Sequence, residues 1–302
     1  MAKLFIIGNG FDLYHGMPTR YSDYHDFLDK HDKKVSNWFD NLRIDFNDNH
    51  CNWNDIEGCS DLNCEDHFGE IVSQYYPNIS DEDFHDRNWN DIDVVSEVEF
   101  SNGIKFYKTL FEEWLKSIPM ANNQNPLISS IISKDDYFIS FNYTRTLEEL
   151  YGIPSNHVFH IHGMIGDKWL QFGSINNRPE DIKKILEDRY GQDDFYGASV
   201  EYGVNNAMNL YKAAFKDINM NLIRLNSFLK WITGYDHIDE IGIFGHAVKY
   251  EFMDKPYYER ILIPRFKNIN WIFYYYRKSN DLNDQLEFID EMHLPYFQQI
   301  QE

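Results

Sequence analysis

Four short segments, far apart in the chain, carry residue types that can bind a polar ligand or move a proton. They are Gly8-Asn9-Gly10, Asn142, His162-Gly163 and Gly245-His246. Asn142 has an amide donor and a carbonyl acceptor, so it can orient a water molecule or a carboxamide. His162 is the candidate general base, because histidine titrates near neutral pH without perturbation. These residue types indicate a site for a small polar molecule, with Asn142 and His162 as the catalytic candidates.

The glycine motif Gly8-Asn9-Gly10 follows a short apolar run and precedes a helical segment. Glycines permit close approach of the backbone, and a helix start offers free N–H groups and about half a positive charge. The motif therefore predicts a phosphate or pyrophosphate site. It lacks the third glycine of the usual dinucleotide fingerprint, so a tight turn without a ligand is the alternative.

The two catalytic candidates also have structural alternatives. Asn142 could cap the helix predicted to begin near Thr144, a position that asparagine favours. His162 could be a structural residue at a strand end. His160, two positions earlier, lies on the same face of that strand, and on the core side it would be structural. The sequence leaves these alternatives open.

Short apolar segments predict the strands that would position these residues. They cover residues 3–7, 137–141, 157–161, 240–244 and 270–275. Apolar residues with helical spacing predict helices at about residues 19–34, 104–118, 127–132, 146–151, 204–216, 220–231 and 282–292. This alternation predicts an α/β fold, a Rossmann-like open and mostly parallel sheet with helices on both faces. The carboxyl ends of such strands meet at one edge, where ligands bind.

The composition sets the broad class of the protein. The chain has 302 residues, a formal net charge of −21 and 17% aromatic residues, which is typical of a folded globular protein. We expect one Rossmann-like domain over residues 1–302, with an acidic Asn/Asp-rich insertion or cap at 45–103 and a helical insertion at 175–236. The charge opposes stable binding of duplex nucleic acid. It still allows a nucleotide pocket, because exposed charges are screened over about 8 Å.

The cysteines do not predict a metal site. Cys51, Cys59, Cys64 and His67 have spacings that match no standard zinc site, so no metal is expected. No apolar segment has the length of a membrane span or of a signal-peptide core. We therefore expect a cytoplasmic protein with no membrane partner.

Several of these motifs resemble those of the AbiH family, which is named for bacteriophage abortive infection. The resemblance begins with residues 4–13 (LFIIGNGFDL) and continues with residues 15–19 (HGMPT) and Tyr21. It extends to residues 141–144 (FNYT), 160–163 (HIHG) and 244–246 (FGH), followed by Asp254 and Tyr257-Tyr258. It covers the chain to about Tyr275 and implies a role in defence against phage.

A more distant similarity concerns sirtuin-like domains that cleave NAD in defence systems. Gly8-x-Gly10 with Gly16-x-Pro18 resembles their glycine turn, Asn142-Tyr143 their Asn-Tyr-Asp, and His162-Gly163 their His-Gly. This similarity implies a sirtuin-like fold, NAD as substrate or ligand, and catalysis by Asn142 and His162. The glycine turn would hold the pyrophosphate, and Gly245-His246 the adenosine ribose. The nucleotide-binding residues it implies are Gly8, Asn9, Gly10, Phe11, Asp12, Gly16, Pro18, Thr144, Gly245 and His246.

These resemblances favour an anti-phage effector that hydrolyses the N-glycosidic bond of NAD or a related nucleotide. A non-catalytic nucleotide-binding sensor or regulator is the alternative, and it differs only in lacking turnover. A nuclease-type effector is the third hypothesis, with Asp55 and Glu57 as its acidic candidates. Since unregulated NAD cleavage is toxic, we expect an activating trigger, either an unknown phage component or assembly into a homo-oligomer.

Overall fold

The computed structural model describes residues 2–45, 62, 64–78, 80, 82–83, 85–190, 197–248, 253–275, 281–294 and 297–301. Cys51, Cys59, Asp55 and Glu57 lie outside these residues, so the hypotheses that involve them stay predictions. Within the described ranges, no group of three His, Cys, Asp or Glu side chains is placed to hold a metal ion.

The centre of the protein is a six-stranded sheet in the order β3-β2-β1-β4-β5-β6. Its strands are β1 (Ala2–Ile7), β2 (Tyr137–Ser140), β3 (Val158–His160), β4 (Ile238–Phe244), β5 (Asn270–Tyr275) and β6 (Phe297–Gln301). Every neighbouring pair is parallel. The prediction of an open parallel α/β sheet is confirmed, and β6 is a strand that the apolar pattern did not predict.

Strand β1, one of the two central strands, shows why the apolar pattern predicted the sheet. Leu4, Phe5, Ile6 and Ile7 are at most 1% exposed, because neighbouring strands and helices cover both faces. Strands buried on both faces require a continuous apolar run rather than an alternating one. Phe5 also stacks on Phe138 of β2, with ring centroids 5.5 Å apart.

The described part of the chain also contains α-helices in both of its compact units. They are α1 (Asn9–Tyr14), α2 (Tyr21–His31), α3 (Lys33–Asp45), α4 (Cys64–Tyr75), α5 (Asp91–Ile104), α6 (Leu110–Ser117), α7 (Pro126–Ile131), α8 (Thr146–Tyr151), α9 (Pro179–Tyr190), α10 (Gly197–Ala213), α11 (Ile218–Tyr235), α12 (Lys255–Tyr257), α13 (Ile263–Phe266) and α14 (Asp281–Glu291). Two π-helical segments, Lys105–Thr109 and Tyr258–Leu262, join α5 to α6 and α12 to α13. None of the described helices has the length and apolar character needed to cross a membrane.

The chain divides into two compact units. One comprises Met1–Asp23, Trp114–Leu170 and Asp217–Glu302, and it contains the sheet. The other comprises Tyr24–Glu113 and Gln171–Lys216. The predicted domain limits, one domain over 1–302 with insertions at 45–103 and 175–236, stay a prediction.

The helical unit contains much of the aromatic content. Phe106 stacks on Phe39 with ring centroids 4.5 Å apart, and Phe111 stacks on Phe172 at 4.0 Å. Gly103 allows α5 to approach its neighbours, because a Cβ there would lie 2.5 Å from Leu210 Cδ1. Large buried rings therefore supply the core of this unit.

Candidate functional site

The glycine turns after β1 and β4 pack directly against each other. The Gly8 N–H donates to the Phe244 carbonyl (3.0 Å) and the Gly10 N–H to the Gly245 carbonyl (2.8 Å). A Cβ on Gly8 would lie 2.6 Å from the Gly245 oxygen, and one on Gly10 would lie 2.7 Å from Gly245 Cα. These glycines are thus required by the close contact of two backbone turns. Their binding of a pyrophosphate stays a prediction.

Asp12 of α1 is a buried carboxyl group at the carboxyl edge of the sheet, with 1% exposure. Thr144 Oγ1 donates to one carboxyl oxygen (2.5 Å) and Thr146 Oγ1 to the other (2.7 Å). Burial raises the pKa of Asp12, although the hydrogen bonds from Thr144, Thr146 and Asn142 act in the opposite direction. A carboxylate that is costly to keep charged has an increased affinity for a proton.

Asn142 lies just after β2. Hydrogen bonds hold its backbone in place, and its side-chain oxygen has no hydrogen-bond donor among the described residues. Its N–H donates to Ser140 Oγ (3.2 Å), and its carbonyl accepts from His160 Nδ1 (3.0 Å). The side chain gives a hydrogen bond to Asp12. Its carbonyl oxygen Oδ1 is buried and has no hydrogen-bond partner among the described residues. Arg145, not Asn142, occupies the cap of α8, so the capping alternative is wrong.

His160 positions Asn142 and belongs to a buried ion pair. Its Nε2 lies 3.2 Å from Glu148 Oε1, and both side chains are almost fully buried. Burial acts to raise the pKa of Glu148, but the hydrogen bond and charge of His160 bring this pKa below its ordinary value. Both ring nitrogens of His160 face oxygen atoms, those of the Asn142 carbonyl and the Glu148 carboxylate. His160 therefore has a structural role.

A cavity of about 70 Å³ opens beside these groups, and we call it the Asp12 cavity. Asn9 donates through Nδ2 to the Thr19 carbonyl (2.9 Å) at its wall. Thr19 Oγ1 is a second buried oxygen without a hydrogen-bond partner in the described part of the chain. The residues that line the Asp12 cavity are Asn9, Asp12, Thr19, Tyr21, Trp114, Leu115, Phe141, Asn142, Tyr143 and Thr144. The cavity combines aromatic walls with oxygen acceptors.

His162 and His246 lie in a different arrangement, which we call the histidine cluster. His162 Nε2 is 3.4 Å from Asp254 Oδ1, and His246 Nε2 is 3.4 Å from Asp254 Oδ2. The Tyr257 hydroxyl lies 3.3 Å from His162 Nε2, and the Tyr258 hydroxyl lies 3.0 Å from His246 Nδ1. One carboxylate thus bridges two buried imidazoles, each with a tyrosine neighbour.

One layer of aromatic side chains separates the cavity from the cluster. The His162 ring centroid is 5.6 Å from that of Phe141 and 6.3 Å from that of Tyr143, and both of these rings line the cavity. His162 itself is not among the lining residues. Its predicted role as general base therefore stays a prediction.

The predicted site residues lie in different environments, among them the Asp12 cavity, the core and the exposed surface. Asn9, Asp12, Asn142 and Thr144 line the Asp12 cavity. Phe11 is a core residue with 1% exposure, and Gly16 and Pro18 are exposed. The sequence interpretation omitted Thr19, Tyr21, Trp114 and Thr146 from the site and left Asp254, Tyr257 and Tyr258 without a role. Asp254, Tyr257 and Tyr258 were visible in the family motif, whereas Trp114 carried no local signal.

The fold and site define the class of protein, a parallel α/β protein with a polar cavity at the carboxyl edge of its sheet. This is where open parallel sheets bind small ligands. The family model described as Bacteriophage abortive infection AbiH matches residues 4–275. The chain belongs to this family. Comparisons with curated proteins and with solved structures found no match.

Proposed function

We propose that this protein acts in abortive infection of bacteriophage by binding NAD, or a related nucleotide, and hydrolysing its N-glycosidic bond. The observation that carries the proposal is the buried Asn142 Oδ1, which lies at the wall of the Asp12 cavity without a partner among the described residues. A buried acceptor without a hydrogen bond costs about 1–3 kcal/mol. The carboxamide NH₂ of nicotinamide is a donor that would recover this energy.

The charge of the cavity supports the nicotinamide end of NAD as the group that enters. The pyridinium ring is flat and positively charged, which suits the aromatic walls and the carboxylate of Asp12. When water attacks the ribose C1′, the C1′–N bond breaks and nicotinamide leaves as a neutral molecule. Asp12 accepts the proton of the attacking water, and Asn142 orients the carboxamide or the water. The raised pKa of Asp12 suits this role of base.

The size of the cavity supports an enzyme that needs activation. Its volume of about 70 Å³ is below the roughly 300–1,000 Å³ of typical small-molecule sites. Only one end of a dinucleotide enters, and the walls must move to admit it. A phage component or self-association of the chain would supply that change.

The test combines binding and turnover in the purified full chain. NAD should raise the melting temperature saturably, and release of nicotinamide should be measurable by chromatography. Asn142→Ala should lose the NAD-dependent shift. Asp12→Asn should lower turnover by about 10²–10⁴-fold. Asn156→Ala, at an exposed position, is the matched control and should retain both properties.

A non-catalytic nucleotide sensor is the second candidate, favoured by the absence of His162 from the lining residues of the Asp12 cavity. Saturable NAD binding that Asn142→Ala abolishes, with no nicotinamide released, would support the sensor. If turnover occurs and His162→Ala abolishes it in a folded variant, the base is His162 rather than Asp12. The absence of both binding and turnover would reject the NAD proposal.

A further inference from the structure

A surface depression outside the Asp12 cavity carries positive charge in this acidic protein. Its volume is about 340 Å³, and it is lined by Asn226, Arg260, Ile261, Pro264 and Arg265. No carboxylate is among these lining residues. The chain as a whole has a net charge of −21. The two arginines that line this depression therefore make its charge opposite in sign to that of the whole protein. We call this surface the arginine depression.

The two guanidinium groups have no carboxylate partner among the described residues. In the described part of the chain, neither Arg260 nor Arg265 forms a salt bridge. Glu259, the adjacent carboxylate in the sequence, instead lies 3.8 Å from Lys255 Nζ. The charge of the depression is therefore available to an anion from solution.

The local structure holds one guanidinium in place. Arg265 Nη2 donates to Asn226 Oδ1 of α11 at 2.9 Å. Arg260 projects from the π-helical segment Tyr258–Leu262. An arginine already fixed by one hydrogen bond loses less freedom when it binds a ligand.

A second depression adjoins this surface, and neither depression shares a lining residue with the Asp12 cavity. The second depression has a volume of about 520 Å³, shares Arg265 and includes Lys230, Asp236, His237 and Ile238. Ile238 is the first residue of β4, whereas the Asp12 cavity lies beyond the carboxyl ends of β1 and β2. A ligand of the arginine depression would thus be distinct from the substrate of the Asp12 cavity.

We propose that the arginine depression binds a small organic phosphate of mononucleotide size. Guanidinium groups match phosphate oxygens in a bidentate geometry, and a phosphate dianion balances two arginines where a carboxylate balances one. The volume lies within the usual range for small-ligand sites. Ile261 and Pro264 supply apolar contacts for the remainder of the ligand. A nucleic-acid strand is disfavoured, because the charge of the whole protein repels a polyanion.

Calorimetric titration of the full chain with AMP, at low salt, tests this proposal. One AMP should bind per chain, and inorganic pyrophosphate should compete while acetate should not. The Arg260→Gln/Arg265→Gln double variant should weaken AMP binding by at least about tenfold. The charge control is Lys267→Gln, which removes one positive charge, half the change in the double variant, from an exposed neighbour and should alter binding by less than about twofold.

The remaining results identify the alternatives. Equal losses of AMP affinity in the arginine and lysine variants would show that AMP binds by general charge attraction, and this would overturn the proposal. Tighter binding of an oligonucleotide than of AMP would overturn it in favour of nucleic acid. AMP binding lost in Asn142→Ala but retained in the arginine variant would place AMP in the Asp12 cavity and reject this site. Failure of NAD binding to the Asp12 cavity leaves the expected AMP result unchanged.

Discussion

The Asp12 cavity and the histidine cluster lie at the same edge of one sheet, yet their buried polar groups differ in what faces them. In the cluster, Asp254 faces both His162 and His246, and each ring has a tyrosine hydroxyl beside it. In the cavity, Asn142 Oδ1 and Thr19 Oγ1 are buried without a partner among the described residues.

This difference separates a structural role from a binding role. Buried polar groups that face one another in a network rigidify the fold. An unsatisfied buried group is unfavourable until a ligand or water bonds to it. Substitutions in the cluster should therefore reduce stability, whereas substitutions in the cavity should alter binding and leave stability intact or increased.

The largest expected effect is at Gly245, which precedes the cluster and contacts the turn that begins the cavity. Its φ is +62°, and a Cβ would lie 2.6 Å from the Gly10 carbonyl carbon. Gly245→Ala should lower the free energy of unfolding by about 3–5 kcal/mol in denaturant titration, because both backbone strain and overlap oppose it. Gly234→Ala in α11, with open space around it, should be neutral or gain up to about 1 kcal/mol. Equal stability of the two variants would contradict the packing argument.

The next largest effect is at the bridging carboxylate of the cluster. Asp254→Ala removes the carboxylate that faces two buried imidazoles and should cost about 2–3 kcal/mol, measured by thermal and chemical unfolding. The control is His237→Ala, which breaks an exposed His237–Asp239 pair (3.2 Å, with His237 83% exposed) and should change stability by less than about 0.5 kcal/mol. A stable Asp254→Ala that fails to release nicotinamide would instead assign the cluster to catalysis.

A smaller effect, with a defined pH dependence, is expected at Glu148. Its lowered pKa means that the ionised carboxylate stabilises the fold above the ordinary glutamate pKa of about 4.3, and that this contribution is lost as the pH falls through the folded-state pKa. Glu148→Gln should cost about 1–2 kcal/mol at pH 7. In acid, the free energy of unfolding of this variant should become equal to that of the wild type. Glu149→Gln, on the same helix and half exposed, should show no such trend.

The smallest effect, of opposite sign, is expected at Asp12. Its raised pKa means that the folded state is penalised when the carboxyl is ionised, so stability falls as the pH rises from the ordinary aspartate pKa through the folded-state pKa. Asp12→Asn removes that penalty and should slightly raise the melting temperature at neutral pH. The gain should vanish in acid, where wild-type Asp12 takes up a proton. Exposed Asp135→Asn should give no gain, and a marked loss of stability in Asp12→Asn would reject the distinction between cavity and cluster.

The sequence predicted buried elements correctly and missed elements that expose much of their surface. The central strands were predicted because two covered faces demand continuous apolar residues, and the predicted helix at residues 146–151 coincides with α8. Strand β6 was missed because its sequence, FQQIQ, is mostly polar at the edge of the sheet. Helix α5 was missed because it exposes Val94 and Val98 and starts in an Asn/Asp-rich stretch.

The sequence by itself determined the α/β class, the family and the residue types at the strand ends, because these depend on local patterns. Only the tertiary structure decided which of those residues share a space. Asp12 meets Thr144 across 132 positions of the chain, while His162 meets Asp254 behind a layer of aromatic rings. Contacts of this kind depend on strand order and side-chain direction at the sheet edge, which no local pattern specifies.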